Sequence, residues 1–204
     1  MKKIRQEDIQ LAADIIRRGG VIALPTETVY GLACDPQNSK AVKQIFRIKG
    51  RADDKPLQLI ASSFAQVVRL ADMTPTEKKL ARAYWPGPLT MLARLRTKVR
   101  LVKQVSPASV IGIRVSPSPV VRALICAFGH PIAATSANRR GSEPARSGDG
   151  VKKAFQDFEY QPDMILDAGS LPRRKPSTVV SVKEYGEIEI VRQGGIRILK
   201  RFFQ

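Results

Sequence analysis

The sequence contains few of the residues on which the common catalytic sites are built. Of its 204 residues one is a histidine, His130, and a proline follows it directly. A catalytic triad needs a histidine with a suitably placed nucleophile and acid, so we interpret His130 as structural. The two cysteines, Cys34 and Cys126, lie far apart and flank neither a metal-binding nor a redox motif, which predicts reduced and mostly buried thiols.

The sequence also lacks the two standard loops that hold nucleotide phosphates, G-x-x-x-x-G-K-[ST] and G-x-G-x-x-G. No apolar run approaches the ~18 residues of a membrane span, and the start, MKKIRQEDIQ, is amphipathic rather than typical of a signal peptide. We therefore expect one compact domain over residues 1–204, in the cytoplasm and without a membrane partner.

Acidic residues are absent from a long central stretch. From Lys78 through Ser142 there are twelve lysines or arginines and no aspartate or glutamate, and the chain has a formal net charge of +17. Such a positive field repels itself unless a polyanion neutralises it, which predicts a nucleotide, RNA or both as partners. The alternative is a solvated basic face.

Hydrophobic periodicity predicts a mixed sheet with flanking helices. A helix over residues 6–18 ends at Gly19-Gly20 and precedes a strand over 21–24. Further helices are predicted at 39–49, 63–71, 74–84, 116–128 and 151–155, and further strands at 57–61, 89–95, 110–115, 131–134, 164–166, 178–182 and 188–191. Crossover helices with a terminal hairpin indicate the α/β (α+β) class, with a twisted mixed sheet flanked by helices.

Polar side chains follow several of these elements. After residues 21–24 an apolar strand changes to hydroxyls, a carboxylate and a glycine, which is typical of a strand that delivers a polar loop to a cleft. We expect Lys49 and Arg51 in a solvated loop region, although a helix C-terminus favours cations even without a function. Ligands of α/β sheets bind beyond strand ends, so we expect convergence on one crevice. The candidates are Thr26, Thr28, Lys49, Arg51, Arg114, Ser136, Asn138, Ser177, Thr178 and Arg192.

Seven motifs occur in the order found in a known family. They are LPTETVYGL at 24–32, KGR at 49–51, WPGPLT at 85–90, GIRV at 112–115, TSAN at 135–138, PSTVV at 176–180 and VRQG at 191–194. By these motifs, which cover nearly the whole chain, the sequence resembles the YrdC/Sua5 family of L-threonylcarbamoyladenylate synthases. The resemblance implies a YrdC-like fold with a concave basic cleft.

The resemblance also implies a reaction. Family members join L-threonine, bicarbonate and ATP, with Mg²⁺, into threonylcarbamoyl-AMP and release pyrophosphate. The product feeds the t6A modification at adenosine 37 of ANN-decoding tRNAs, which a separate transferase complex completes. The chain would then be a nucleotidyltransferase without a protein nucleophile, with its basic face available to tRNA or double-stranded RNA.

Matched residue by residue, the family pattern implies a division of the site. The nucleotide would be bound by Lys49, Arg51, Lys55, Ser136, Asn138, Pro144 and Arg192, and the threonine by Thr28, Arg114 and Ser177. Lys49 and Arg51 would stabilise the reacting charges. The pattern names no metal ligands and gives no role to Glu27, and we expect Tyr30 to pack.

The chain departs from the family pattern at three places. Ile60 stands where longer members carry a histidine, and Ser181 stands where an aspartate often follows S-T-V-V. The sequence ends at Gln204, so we expect no additional C-terminal domain of the long form.

Two functions of other classes remain open from the sequence. One is an RNA-binding or ribosome-maturation module that kept the fold and the basic face. The other is a carbamoyl-transfer paralogue with a different acceptor, against which the presence of both K-x-R and S-x-N argues.

Overall fold

The fold, described by a computed structural model for residues 2–50 and 55–203, is a mixed ten-stranded sheet with helices on both faces. Its helices are α1 Gln6–Arg17, α2 Ser39–Lys49, α3 Phe64–Leu70, α4 Pro75–Tyr84, α5 Pro119–Phe128 and α6 Gly148–Phe155. Its strands are β1 Ile22–Pro25, β2 Tyr30–Cys34, β3 Gln58–Ala61, β4 Ala71–Asp72, β5 Leu89–Leu95, β6 Val110–Val115, β7 Ile132–Ser136, β8 Met164–Ile165, β9 Thr178–Val182 and β10 Ile188–Arg192. The predicted fold class is confirmed.

The strand order is β10-β9-β5-β6-β3-β7-β2-β1-β8, with the short β4 added to β5. The pairs β3–β6, β5–β9 and β1–β8 are parallel and the other pairs are antiparallel. The sheet therefore mixes crossover connections with hairpins, as the sequence predicts.

The two faces of the sheet differ in what covers them. One face carries the larger apolar cluster, which includes Leu32, Leu59 and Ile113. On the other face, α1 and α5 pack on a smaller cluster that includes Leu24 and Ile60. Arg114 is the register partner of Ile60, so it points to that second face.

Capping signals place some helix starts accurately. At the start of α4, the Glu77 backbone N–H donates to Thr74 Oγ1 at 3.2 Å, and the Thr74 N–H donates to Glu77 Oε2 at 2.6 Å. Pro75 occupies the first turn, where a missing N–H costs nothing. The predicted start at Thr74 is confirmed.

The polar loop after β1 is shorter than the sequence suggests. It spans Thr26 to Val29, and the chain then forms β2, a buried strand paired with both β1 and β7. Gly31 interrupts the apolar pattern of this strand, so hydrophobic periodicity does not predict the strand. A Cβ at Gly31 would lie 3.1 Å from the Thr135 carbonyl oxygen, so close strand packing explains the glycine.

Other boundaries and one burial prediction also differ. Helix α5 begins at Pro119 rather than at 116, α6 begins at Gly148 rather than at 151, and β7 continues to Ser136. Cys34 is buried, and burial raises the pKa of its thiol. Cys126 is exposed, so the prediction of a buried thiol there is wrong. It lies on the outer side of amphipathic α5, whose inner side uses Val121, Leu124 and Ile125.

Tyr30 connects β2 to the segment that follows β8. Its hydroxyl donates to the Gly169 carbonyl at 2.9 Å and accepts from the Ala168 N–H at 2.9 Å. The side chain is completely buried, and this burial raises the pKa of Tyr30 to about 12. The expectation that Tyr30 packs is confirmed, and its hydroxyl adds a specific anchor.

Tyr30→Phe tests this anchor. Loss of the hydroxyl leaves the buried Ala168 N–H and the partly buried Gly169 carbonyl without this partner, which should lower the free energy of unfolding by about 1–3 kcal/mol. The measurement is equilibrium unfolding in urea. The matched control is Tyr185→Phe, because Tyr185 is fully exposed; equal stability of the two variants would contradict the anchor.

A second close contact lies at the start of β9. Thr178 Oγ1 accepts from the Gly194 N–H at 3.0 Å and donates to the Ile196 carbonyl at 2.6 Å. A Cβ at Gly194 would overlap the backbone of Pro176 and Ser177. Gly194 thus allows the segment after β10 to cross directly over the segment before β9.

Gly194→Ala should separate these two segments and lower the free energy of unfolding by about 1–3 kcal/mol, as overpacking does elsewhere. Gly195→Ala is the control, because a Cβ there would lie 3.5 Å from the Lys175 carbonyl, an ordinary contact. Thermal and urea unfolding of both variants make the comparison. A Gly194→Ala protein as stable as its Gly195→Ala control would disprove the close crossing.

Candidate functional site

The turn between β1 and β2 lies against a strand that is distant in the sheet. Glu27 in this turn contacts Arg114 and Ser116 of the β6 region, although β2, β7 and β3 separate β1 from β6 in the strand order. Ser118 Oγ also donates to the Pro25 carbonyl at 3.3 Å. The turn therefore folds over the second face of the sheet.

The contact between Glu27 and Arg114 is a buried ion pair. Arg114 Nε lies 3.0 Å from Glu27 Oε1, and the side chains are 10% and 4% exposed. Neither atom makes a hydrogen bond of favourable geometry, so the attraction between them is electrostatic. Ser116 Oγ donates to the other carboxylate oxygen, Glu27 Oε2, at 2.5 Å.

A series of polar contacts continues from Arg114 across the sheet, to β3, β5 and the start of β9. Arg114 NH1 lies 3.5 Å from Gln58 Oε1, and Thr90 Oγ1 lies 3.4 Å from the same oxygen. Thr90 Oγ1 donates to Ser177 Oγ at 2.9 Å. Arg192 NH2 donates to Ser177 Oγ at 3.1 Å and to its carbonyl at 2.9 Å. We call Glu27, Gln58, Thr90, Arg114, Ser116, Ser177 and Arg192 the sheet-face network.

The sheet-face network has an excess of positive charge. It contains two guanidinium groups, on Arg114 and Arg192, and one carboxylate, that of Glu27, which pairs with Arg114. Burial lowers the pKa of Arg192, and the nearby Arg114 lowers it further. Two neighbouring cations with one counter-charge attract a further anion, and planar guanidinium groups suit a carboxylate or phosphate.

Thr28 lies beside this network in the same turn as Glu27. Its Oγ1 is 3.1 Å from Thr26 Oγ1, and Thr26 Oγ1 donates to the Val29 carbonyl at 2.7 Å. Both threonines are 6% exposed. The hydroxyl pair fixes the turn and keeps a second buried hydroxyl next to Glu27.

A second group of polar residues surrounds the end of α2. Lys49 Nζ donates to the Ser136 carbonyl at 2.7 Å, to the Asn138 carbonyl at 2.9 Å and to Asn138 Oδ1 at 3.1 Å. Lys49 is 3% exposed, so the expectation of a solvated position is wrong for it. The oxygens of β7 and its following loop compensate the buried ammonium.

The loop after β7 is held by further hydrogen bonds. Ser136 Oγ donates to Asn138 Oδ1 at 2.6 Å, and Asn138 Nδ2 donates to the Ser142 carbonyl at 2.7 Å. The Tyr30 N–H donates to the Ala145 carbonyl at 2.9 Å. We call Lys49, Ser136 and Asn138 the loop group.

The β1–β2 hairpin links the two groups, because its turn carries Glu27 and its second strand pairs with β7. Ser136 pairs with Gly31, the residue after Tyr30 in the strand that follows the hairpin turn. The structure thus brings Thr28, Arg114, Ser177 and Arg192 to one face of the sheet and places Lys49, Ser136 and Asn138 next to its hairpin. Arg114 and Gln58 belong to strands, so these side chains lie on a sheet face rather than beyond strand ends. Convergence of all the candidates on one crevice stays a prediction.

Three predicted nucleotide residues have no role fixed by this geometry. Lys55 is exposed and Pro144 is partly buried at the loop after β7. Arg51 lies outside the described residues. His130 is exposed and packs edge-on against Phe128, with ring centroids 5.8 Å apart, away from both groups.

Sequence reasoning missed several network members. Gln58, Thr90 and Ser116 join the network through contacts that span distant segments, and Glu27 had no role. Thr90 and Glu27 lie inside motifs shared with the family, and this position was the signal in the sequence that they belong to the site.

A separate surface cavity of about 440 Å³, lined by residues that include Ser62, Trp85 and Arg122, contains none of the predicted site residues.

The described residues do not form a metal cage. Within residues 2–50 and 55–203, no three histidine, cysteine, aspartate or glutamate side chains are grouped to hold an ion. Every helix in this part of the chain is too short or too polar to cross a lipid bilayer.

Comparison with known proteins identifies the family. The family model Sua5_yciO_yrdC, described as "Telomere recombination", matches residues 14–194. A Marinobacter nauticus protein named threonylcarbamoyl-AMP synthase is 39% identical over 85% of this chain and 90% of its own length. A Pyrococcus abyssi protein of the same name is 35% identical, and the chain spans 56% of its length.

A solved structure extends the comparison to the fold. P. abyssi Sua5 complexed with L-threonine superimposes with a TM-score of 0.85 at 34% identity, over 95% of this chain and 56% of that one. The family model covers most of the chain, and the sequence identity extends over nearly all of it. The chain therefore belongs to the Sua5/YciO/YrdC family.

Proposed function

We propose that this protein is a threonylcarbamoyl-AMP synthase, a nucleotidyltransferase that joins L-threonine, bicarbonate and ATP and releases pyrophosphate. The product would supply the t6A modification at adenosine 37 of ANN-decoding tRNAs. The observation that carries the proposal is the cationic sheet-face network beside the loop group, in a chain whose relatives are named for this reaction. Two adjoining polar groups suit a reaction that joins an amino acid to a nucleotide.

In this proposal threonine binds at the part of the sheet-face network around Arg114 and Ser177, and Arg192 serves the nucleotide. Arg114 pairs with the threonine carboxylate through its terminal nitrogens, and Thr28 and Ser177 bind its other polar groups. The P. abyssi relative whose structure contains L-threonine supports this substrate. Each charge-assisted hydrogen bond of this kind is worth about 1.5–3 kcal/mol.

ATP would bind at the loop group and its surroundings. Ser136 and Asn138 offer a hydroxyl and an amide, and Arg51, Lys55, Pro144 and Arg192 complete the proposed nucleotide site. Lys49 contributes differently, because its ammonium already binds three oxygens of the loop. It would hold Ser136 and Asn138 in place and add positive charge beneath the nucleotide.

The reaction needs no protein nucleophile. The threonine amine and bicarbonate give a carbamate with loss of water, and a carbamate oxygen then attacks the α-phosphorus of ATP. A new P–O bond forms as the bond to pyrophosphate breaks. Catalysis consists of bringing two anions together and neutralising their charge, for which arginine and lysine side chains suffice.

Mg²⁺ would accompany the nucleotide. The described residues form no acidic cluster, and a magnesium ion that is held mainly by phosphate oxygens and water does not require one. When bound it would neutralise phosphate charge.

The remaining parts of the proposal concern organisation and partners. Residues 1–204 would act as one domain in the cytoplasm. The acid-free stretch from Lys78 to Ser142 would offer a face to tRNA or double-stranded RNA, and the t6A transferase complex would receive the product.

Product analysis tests the proposal directly. Purified protein with ATP, bicarbonate and L-threonine should yield threonylcarbamoyl-AMP by mass spectrometry and pyrophosphate in equal amount. Omission of threonine or bicarbonate should abolish both. Pyrophosphate release that is indifferent to threonine, or no release, would contradict the synthase and favour a binding module or another acceptor.

Lys49→Met tests the loop group. Methionine keeps the apolar stem but donates no hydrogen bond, so the Ser136 and Asn138 oxygens lose their cation. We expect kcat/KM for ATP to fall by about 100-fold or more, because several charge-assisted bonds disappear, with lower stability as well. Lys43→Met is the control, since Lys43 is exposed on the same helix. Equal kcat/KM values in the two folded variants would contradict the assignment.

A further inference from the structure

Glu27 is a buried charge that the proposed reaction does not use. Its side chain is 4% exposed, and it lies in the turn that also contains Thr28. A carboxylate at such a position is costly unless nearby groups compensate its charge. Arg114 and Ser116 supply the compensation here.

The contact uses one particular edge of the Arg114 guanidinium. Nε faces Glu27 Oε1 at 3.0 Å, and NH1 lies 3.5 Å from Gln58 Oε1. A guanidinium is planar and carries five N–H donors in a fixed arrangement. The electrostatic contact at the Nε edge therefore restricts the direction of the terminal nitrogens, which can pair with a carboxylate in bidentate fashion.

We propose that Glu27 is a positioning residue that aims the terminal nitrogens of Arg114 at the carboxylate of the amino-acid substrate. The inference rests on the proposed function, in which Arg114 binds that carboxylate. Glu27 does not touch the substrate. It acts through Arg114, and Ser116 acts one step further back by holding Glu27 Oε2 at 2.5 Å.

The arrangement has a consequence for ligand choice. Glu27 offsets the charge of Arg114, so Arg114 attracts a carboxylate by aligned hydrogen bonds more than by unbalanced charge. A ligand with the same skeleton but no carboxylate cannot use that alignment. The preference for a carboxylate over a hydroxymethyl group should then depend on Glu27.

The experiment compares binding of L-threonine with that of L-threoninol, in which a hydroxymethyl group replaces the carboxylate. Calorimetric titrations use the wild-type protein, Glu27→Gln, Ser116→Ala and Glu7→Gln. Glu7→Gln is the matched control, because it makes the same chemical change in an exposed ion pair with Arg5, whose charged atoms are 3.6 Å apart. Unfolding curves establish that each variant is folded.

We expect the wild-type protein and Glu7→Gln to prefer threonine over threoninol by the same factor. In Glu27→Gln that preference should fall roughly tenfold, because the loss of alignment, about one charge-assisted hydrogen bond, outweighs the gain in unbalanced positive charge on Arg114. Ser116→Ala should reduce it in the same direction by a smaller factor. The KM for ATP should stay within about twofold in both variants, since the loop group is intact.

An unchanged preference in folded Glu27→Gln overturns the proposal. An equal loss of affinity for both ligands also overturns it, because that pattern indicates a purely structural residue. Should Glu27→Gln not fold, Ser116→Ala decides by the same criterion. A wild-type protein that binds threonine but releases no pyrophosphate would refute the synthase alone, and one that binds neither ligand would refute both.

Discussion

Buried charge must be compensated, and this requirement shapes the part of the molecule that surrounds the site. Lys49 at the end of α2 is almost inaccessible, and three oxygens of β7 and the following loop surround its ammonium. Glu27 and Arg114 meet this requirement through each other, with Ser116 as a further donor. Each compensation joins segments that are distant in sequence, so the same contacts that neutralise charge also assemble the site.

The β1–β2 turn makes the contact with β6 possible. It folds over the sheet, so that Glu27 reaches Arg114 although β7 and β3 lie between β2 and β6. Helices α1 and α5 cover one part of the second face and leave the strands β6, β5 and β9 to carry polar side chains. The boundary between covered and uncovered sheet therefore coincides with the position of Arg114.

Much of the fold could be predicted from the sequence, because local rules determine it. The bounds of β5, β6 and β9 follow from apolar runs, and the start of α4 follows from its capping box. Strand β2 could not be predicted in this way, because Gly31 interrupts its apolar run. Close packing against the neighbouring strand requires this glycine. Propensity and periodicity contain no information on such contacts.

The sequence offers candidate members of the site more readily than their arrangement. Family motifs named Thr28, Arg114 and Ser177, but nothing in them pairs Arg114 with Glu27. The burial of Lys49 has a signal in the sequence, because Val42, Ile45, Phe46 and Lys49 recur at helical spacing along the buried side of α2. Lysines are rarely buried, so this spacing alone does not predict the burial.

The contacts that build the site also have a kinetic meaning. Glu27 and Ser116 are separated by 89 residues, Lys49 and Asn138 by 89, and Thr90 and Ser177 by 87. Contacts between residues so far apart in sequence close long loops, which costs entropy. The site therefore forms only after the distant strands have paired. Partly folded forms that contain only the β1–β2 hairpin, or only the central strands, do not bring the cations Arg114 and Arg192 together. Ligand binding by this protein is thus a property of the completely assembled sheet.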